Sequence, residues 1–152
     1  WKKKILLVLL IAFIAIQFIQ PAHNNNGQVL SVDITSLYRV PDGVADIFKK
    51  ACYDCHSNKT RYPWYAYIQP GGWWMAYHIK EGKAKLDVSE FGNYSRRKQQ
   101  NKLRSIAKSL DENTMPIAAY MIVHTDAKLA KDQKALVVDW INRTKDSLSK
   151  TN

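Results

Sequence analysis

The sequence predicts an all-α domain that follows a single apolar helix at the N terminus. Apolar residues recur at intervals of three and four in several separate segments, which is the spacing of a buried helix face. No long segment alternates between apolar and polar residues, so no strand pattern competes with these helices. The chain has 152 residues, 46% of them hydrophobic and 24% charged, which suffices for one domain with its own core.

The N-terminal element is an uncharged apolar run from Ile5 to Ile19, preceded by three lysines. We assign residues 1–21 to a transmembrane or signal-anchor helix. As a helix the run would be about 22 Å long, shorter than a hydrocarbon core of about 30 Å, so a cleaved signal peptide is the alternative. Gln20 and Pro21 offer no small-residue cleavage pattern, which favours a retained anchor. Because basic residues stay in the cytoplasm, the rest of the chain is expected on the far side of the membrane.

The exported part divides into a linker and a domain. Residues 22–37 begin with a polar stretch that has little to bury, and we assign them to a tether. The domain is assigned to residues 38–150. Its first helix is predicted after Pro41, with Asp42 as a plausible N-cap and with Val44, Ile47 and Phe48 on the buried face.

Two longer helices are predicted in the second half of the chain. The first is amphipathic, ends near Asp111 and carries a basic face opposite its apolar one. The second occupies the C terminus, begun by Asp126 or interrupted near Ala130. Between the motifs, residues 80–91 are predicted to end a helix and form a loop, with Gly82 marking the change. The apolar positions of the two helices are Leu103, Ile106, Ala107 and Leu110, then Leu129, Leu136, Val137, Trp140, Ile141 and Leu148.

The most informative stretch is Cys52-Tyr53-Asp54-Cys55-His56. Its Cys-x-x-Cys-His spacing lets two thiols attach to one haem while the next residue ligates the iron, so it predicts one covalent haem c per chain. A zinc site is disfavoured, because there is no further cysteine and His23, His78 and His124 show no paired spacing. A redox-active thiol pair or a disulfide is disfavoured too, because a helical pattern precedes the motif and no βαβ alternation surrounds it.

Met115 is the leading candidate for the second axial ligand of the iron. Its thioether would favour ferrous iron, and Pro116 biases it toward an extended conformation that suits a loop across the distal face. The ordinary alternative for a methionine is a place in the core. His78, within a predicted helix, is the second candidate ligand, and an open distal position is the third possibility.

An unusually dense aromatic segment extends from Tyr62 to Tyr77. Flat rings can wall a porphyrin, and indole or phenol groups can donate hydrogen bonds to its propionates. An ordinary aromatic core or an interfacial belt near the bilayer are the alternatives. The rings assigned to the cofactor are those of Trp64, Tyr65, Trp73 and Trp74.

The formal net charge is +10, and much of the surplus lies along the basic helix face. Such a face could steer an acidic redox partner or an anionic membrane surface, or it could simply be solvated. No nucleic-acid-binding motif is present, and we expect no nucleic-acid partner. The residues of this face are Arg96, Arg97, Lys98, Lys102, Arg104 and Lys108.

Taken together, these motifs resemble the haem-binding domain family of exported bacterial proteins, common in Bacteroidota, over roughly residues 38–148. The resemblance implies a cytochrome c-like α-helical domain in which Cys52 and Cys55 hold haem, His56 is the proximal ligand and Met115 the distal one. It implies no defined substrate. The segment 86–89 departs from the family pattern, which bears on local packing. The matching stretches are Cys52-Tyr-Asp-Cys-His-Ser-Asn, Arg61-Tyr-Pro-Trp-Tyr, Trp73-Trp74, His78-Ile-Lys-Glu-Gly82, Ser89-Glu-Phe91, Met115-Pro116 with Tyr120 and His124, and Asp126-Ala-Lys-Leu129 before Trp140.

The sequence therefore predicts a monohaem electron carrier of the bacterial inner membrane, with a single-pass anchor and the haem domain in the periplasm. We expect redox proteins as partners and no substrate transformation. A peroxidase-like haem enzyme or a gas or redox sensor, with an open distal face, is the second hypothesis. The third hypothesis is a structural subunit of a larger membrane complex, in which the haem mainly stabilises the fold.

Overall fold

The predicted all-α architecture is confirmed. The computed structural model describes residues 1–26 and 28–150, and within these ranges the chain forms eight α-helices, three short 3-10 helices and no strand. The α-helices are α1 (Lys2–Ile16), α2 (Ile34–Leu37), α3 (Asp42–Ala51), α4 (Tyr53–His56), α5 (Gly71–Lys85), α6 (Arg96–Asp111), α7 (Ala118–Val123) and α8 (Lys131–Lys150). The 3-10 helices are Trp64–Tyr67, Phe91–Asn93 and Thr125–Ala127.

Helix α1 occupies most of the predicted apolar run, but it ends at Ile16 rather than at Ile19, with Gln17 as its C-cap. It has 15 residues, and none of them is buried. None of the helices within the described ranges has both the length and the apolar character that crossing a membrane requires. The structure thus shows the predicted N-terminal helix without showing a membrane span.

Helix α3 leads the chain into the Cys-x-x-Cys-His motif. Pro41 takes the N-cap position that we predicted for Asp42, and Asp42 lies in the first turn, where a carboxylate is favoured by the positive end of the helix dipole. The helix ends at Ala51, so Cys52 lies at the junction between α3 and the short helix α4. The helix predicted after Pro41 is therefore confirmed, and it leads directly to Cys52.

The main core lies between α3, α6 and α8, where α8 packs against both of the other helices. Phe48 of α3 meets Trp140 of α8 edge to face, with ring centroids 5.7 Å apart, and Leu103 of α6 is fully buried beside them. The Trp140 indole satisfies its N–H by donating to the Arg39 carbonyl at 3.2 Å. These contacts set the positions of α3 and α6, and both helices contribute residues to the cavity described in the next section.

Helix boundaries in the second half follow the sequence patterns with one difference. Helix α6 ends at Asp111 as predicted, and α8 begins at Lys131 after a 3-10 turn, which matches the predicted interruption near Ala130. Helix α5, however, continues through Gly82 to Lys85, so Gly82 does not mark its end. Its packing against α4 explains why a glycine stands inside the helix, as shown below.

The segment before α2, predicted as a free tether, contacts the domain. The Asn24 N–H donates to the Tyr62 hydroxyl at 2.5 Å, and its side-chain amide donates to the Ser57 carbonyl at 2.7 Å and to the Thr60 hydroxyl at 2.9 Å. In turn Asn24 accepts hydrogen bonds from the Thr60 N–H and from the Lys83 ammonium, each at 3.1 Å. The polar composition of this segment therefore reflects its contact with the domain, because its partners there are backbone groups and polar side chains.

Candidate functional site

A cavity of about 510 Å³ lies between α4, α5, α6 and the segment that leads into α7. This volume is within the range of sites for small molecules and cofactors, which is about 300–1,000 Å³. The walls are mainly apolar. Residues that line it include Phe48 and Cys52 from the α3–α4 junction, Cys55 and His56 from α4, Tyr77, His78 and Lys85 from α5, Lys102, Ile106 and Leu110 from α6, and Met115 and Tyr120 from the segment beyond.

The orientation of His56 is set by two backbone carbonyls. Its Nδ1 atom lies 2.9 Å from the Gly82 oxygen and 3.0 Å from the Leu86 oxygen. Carbonyl oxygens only accept hydrogen bonds, so Nδ1 carries the proton and donates it to both. The other ring nitrogen, Nε2, is thereby left unprotonated in the neutral imidazole. An imidazole held in this way is the usual form of a metal-ligating histidine.

Gly82 allows α5 to approach the motif closely enough for this contact. A Cβ atom added at Gly82 would lie 2.5 Å from the Cys55 carbonyl oxygen, well inside van der Waals contact. The glycine is therefore required by a close approach between two backbones, and the same residue supplies one of the carbonyls that accept from His56.

Cys52 and Cys55 are free cysteines that both line the cavity. Burial, reinforced by the neighbouring Cys55, raises the pKa of the Cys52 thiol to about 12. Burial, with a smaller contribution from the Asp54 charge, raises the pKa of the Cys55 thiol to about 11. Thiols that stay protonated at neutral pH are unlike the low-pKa thiol of a thioredoxin-type motif.

The two candidate distal ligands both lie on the cavity. Met115 lies in the loop between α6 and α7 and is 36% exposed. His78 lies on α5, edge to face with Trp74 at a centroid distance of 4.3 Å, and burial lowers the pKa of His78. The structure brings both residues to the same cavity as His56.

Hydrogen bonds to the buried Asp54 carboxylate tie the motif to α7. Asp54 is buried, and its carboxylate accepts hydrogen bonds from the Arg61 backbone N–H at 3.0 Å and from the Arg61 guanidinium at 3.1 and 3.2 Å. It also accepts from the Tyr120 hydroxyl at 2.6 Å. Burial, and then this hydrogen bond, raises the pKa of Tyr120. Arg61 lies 3.7 Å from Asp126 as well, so one guanidinium joins the motif to the region after α7.

The rim of the cavity on the α5–α6 side is basic. Lys85 and Lys102 line it, and the Lys102 ammonium donates a hydrogen bond to the Lys85 carbonyl. Glu81 is the acidic residue of the same rim. Two ammonium groups beside an apolar cavity suit a flat apolar group that carries carboxylates at one edge.

The aromatic residues that we assigned to the cofactor lie elsewhere, since Trp64, Tyr65, Trp73 and Trp74 do not line the cavity. Tyr65 and Trp74 pack against a small second core of Ala66, Met75 and Ile79. Trp64 is exposed, and the Trp73 indole donates to the Ile19 carbonyl at 2.9 Å. The number of aromatic residues in this segment of the sequence did not show whether they would pack in a second core or line a cofactor site.

The structure adds cavity residues to those singled out from the sequence. Asp54 and Tyr77 line it, and Tyr120 does too, although the sequence offered Tyr120 only as part of a family pattern. Asp54 lies between the two cysteines in the sequence, so the motif itself indicated that Asp54 would be near the cavity. Its bond to Tyr120 depends on a residue far along the chain and was not indicated. The lysines of the rim are indistinguishable in sequence from other surface lysines.

The residues present fit a haem group. The site combines an apolar cavity, an imidazole oriented by its Nδ1 proton, two thiols at the attachment spacing and a basic rim, which together define a small all-α haem-binding domain. The family model described as "Haem-binding domain" matches residues 11–143, and the chain belongs to this family. No curated protein matches the chain. No solved structure matches it either.

Proposed function

We propose that the protein is a monohaem electron carrier in which Cys52 and Cys55 hold haem c covalently. In this proposal His56 and Met115 are the axial ligands of the iron. Bound haem supplies one-electron chemistry as its iron changes between the ferric and ferrous states. The chain supplies attachment, orientation and a low-polarity environment.

The observation that carries the proposal is the double hydrogen bond from His56 Nδ1 to the carbonyls of Gly82 and Leu86. It fixes both the tautomer and the direction of the ring, and it directs the lone pair of Nε2 away from α5. Carbonyls that accept a hydrogen bond from Nδ1 also make the imidazole a stronger electron donor through Nε2. This is a recognised way to tune a bound metal.

The other residues of the site perform separate tasks in this proposal. Phe48, Ile106 and Leu110 limit the access of water from the α3 and α6 sides. Lys85 and Lys102 offer positive charge to the propionates at the rim. Met115 approaches from a loop, so its sulfur can reach the distal face without distorting a helix.

We further propose that α1 attaches the protein to the bacterial inner membrane, with the haem domain in the periplasm and redox proteins as partners. The proposal is supported by three lysines before an apolar helix and by an attachment chemistry expected outside the cytoplasm. Part of the surplus positive charge lies on α6, next to the cavity rim, so an acidic partner is expected to dock there.

The test compares two methionine variants by absorption spectroscopy of the haem-loaded protein. Met115→Ala should abolish the weak far-red ferric band of methionine-ligated haem and allow carbon monoxide to bind the ferrous form. Met121→Ala, a matched control outside the cavity, should leave both properties unchanged. An unchanged spectrum in Met115→Ala would remove Met115 from the ligand set.

A second function, a haem enzyme or sensor with an open distal face, is favoured by the presence of His78, Tyr77 and Tyr120 on the same cavity. These groups could donate or accept a proton at a bound diatomic molecule or peroxide. High-spin iron that binds carbon monoxide in the unmodified protein would support this function over electron transfer.

A further inference from the structure

An exposed apolar patch lies on the domain next to the end of α1. It consists of Trp64, Tyr67, Ile68 and Trp73, and we call it the aromatic patch. Trp64 is 73% exposed and Ile68 is 44% exposed, which is unusual for such large apolar side chains in one neighbourhood. The chain contains no Asp, Glu, Lys or Arg from residue 62 to residue 79, so the patch is uncharged as well as apolar.

Helix α1 also presents an uncharged, apolar and exposed surface, and this surface is larger than the aromatic patch. After Lys4 every residue of the helix is apolar, on all of its faces, and none is buried against the described domain. A helix that is hydrophobic all round requires an apolar environment, either protein or lipid. Phe18 and Ile19, which follow α1, are also exposed and extend this apolar surface toward the domain.

A set of glutamine hydrogen bonds joins the two apolar surfaces. Gln69 is fully buried, its N–H donates to the Gln17 side chain at 2.8 Å, and its side-chain amide donates to the Gln20 side chain at 2.9 Å. The Gln69 side-chain oxygen also accepts from the Trp73 N–H at 3.0 Å. These bonds place the aromatic patch directly at the end of α1 and leave no flexible spacer between them.

We propose that the aromatic patch lies in the headgroup region of the bilayer that holds α1. The inference rests on the proposed membrane attachment and adds a second contact to it, which fixes how the domain faces the membrane. Tryptophan and tyrosine are enriched at this depth because their rings are apolar while their N–H and O–H groups stay hydrated. A lipid surface is favoured over a protein partner because the patch continues without charge into the apolar surface of α1.

This orientation places the haem cavity near the membrane surface. Tyr77 follows Trp73 by one helical turn on α5, which is about 6 Å along the helix axis, and Tyr77 lines the cavity. The cavity opening would then lie close to the headgroups. Redox partners that are themselves bound to the membrane would reach it more readily than diffusing ones.

The test is photo-crosslinking of the full chain in vesicles of phosphatidylethanolamine and phosphatidylglycerol. A benzoylphenylalanine probe replaces one residue at a time, at Trp64, Ile68, Leu136 or Leu9, and lipid adducts are measured by mass spectrometry. Leu136 of α8 is the matched control, because it is aliphatic and 41% exposed, against 44% for Ile68. Leu9 lies within α1 and reports the proposed attachment by itself.

We expect lipid adducts at Leu9, Trp64 and Ile68, with a yield at Ile68 about tenfold above that at Leu136. Adducts at Leu9 without adducts at Ile68 and Trp64 would overturn this inference and leave the membrane attachment standing. No adduct at Leu9 would overturn both. Crosslinks from Ile68 to a second copy or to another polypeptide would assign the patch to a protein interface instead.

Discussion

The two sides of the cavity are held in different ways. On the His56 side, the imidazole donates to two backbone carbonyls, and α5 meets the motif at a glycine, so the geometry depends on main-chain positions. On the Met115 side, the segment from residue 113 to residue 120 is tied to the motif by side chains, through the Tyr120–Asp54–Arg61 network. We therefore expect His56 to be held rigidly and the segment that carries Met115 to be easier to displace.

The largest effect is expected at the close approach of α5 and α4. Gly82→Ala would place a methyl group against the Cys55 carbonyl, and the overpacking should lower the free energy of unfolding by about 3 kcal/mol despite the better helix propensity of alanine. The measurement is chemical denaturation of the haem-loaded chain.

The control for this variant is Gly43→Ala in α3. Its added methyl group would meet only the flexible Leu136 side chain, at 3.2 Å, so a change within about 1 kcal/mol is expected. Equal effects at the two glycines would show that close backbone packing does not hold the His56 side of the cavity.

An intermediate effect is expected at the ion pair between buried Asp54 and half-exposed Arg61. Arg61→Leu would leave the buried Asp54 carboxylate without its guanidinium partner, at a cost of about 2 kcal/mol, because the half-exposed arginine is partly screened by solvent. Since Tyr120 shares that carboxylate, the segment from residue 113 to residue 120 should also loosen, and carbon monoxide should bind the haem-loaded variant more readily than the parent.

The matched control is Arg143→Leu on α8. Arg143 pairs with Asp139 on an exposed helix face, so its loss should change stability by no more than about 0.5 kcal/mol and should leave carbon monoxide binding unaltered. If Arg61→Leu behaved in the same way, the network would not be what ties α7 to the motif.

The smallest effect on stability is expected at Met115. Because the side chain is about one-third exposed, Met115→Ala should cost no more than about 1 kcal/mol of unfolding free energy in the haem-free chain, while changing the spectrum of the loaded one. Met75→Ala, at a fully packed position, should cost about 3 kcal/mol. Similar losses in the two variants would make Met115 a packing residue.

The difference between the two sides also explains what the sequence could predict. Cys52, Cys55 and His56 lie within five residues, so a local motif places Cys55 and His56 on one short helix and Cys52 at its N-cap. Gly82 accepts from His56 across 26 positions of sequence, and Tyr120 donates to Asp54 across 66. Contacts between residues so far apart leave no periodic pattern in the sequence. Neither of these two hydrogen bonds was therefore predicted from the residues alone.

Composition left the contacts of two segments open, for related reasons. The aromatic segment was expected to wall the cofactor, but Trp74 and Tyr65 complete a second core, and Trp64 lies on the surface. The polar stretch around Asn24 was expected to be a tether, but Asn24 and Asn26 bond to the segment after the motif. Composition reports what a segment can contact, and the tertiary structure decides what it does contact.

The hydrogen bonds of Asn24 have a practical consequence for any shortened form of the protein. Five of them connect this residue to Ser57, Thr60, Tyr62 and Lys83, and the Lys83 ammonium also bonds Asn58, beside the motif. A truncation that begins after residue 26 would strip those partners and expose buried polar groups around Ser57 and Thr60. A shortened form for biophysical work should therefore start no later than His23, and one that also keeps the bonds from buried Gln69 to Gln17 and Gln20 should include both glutamines.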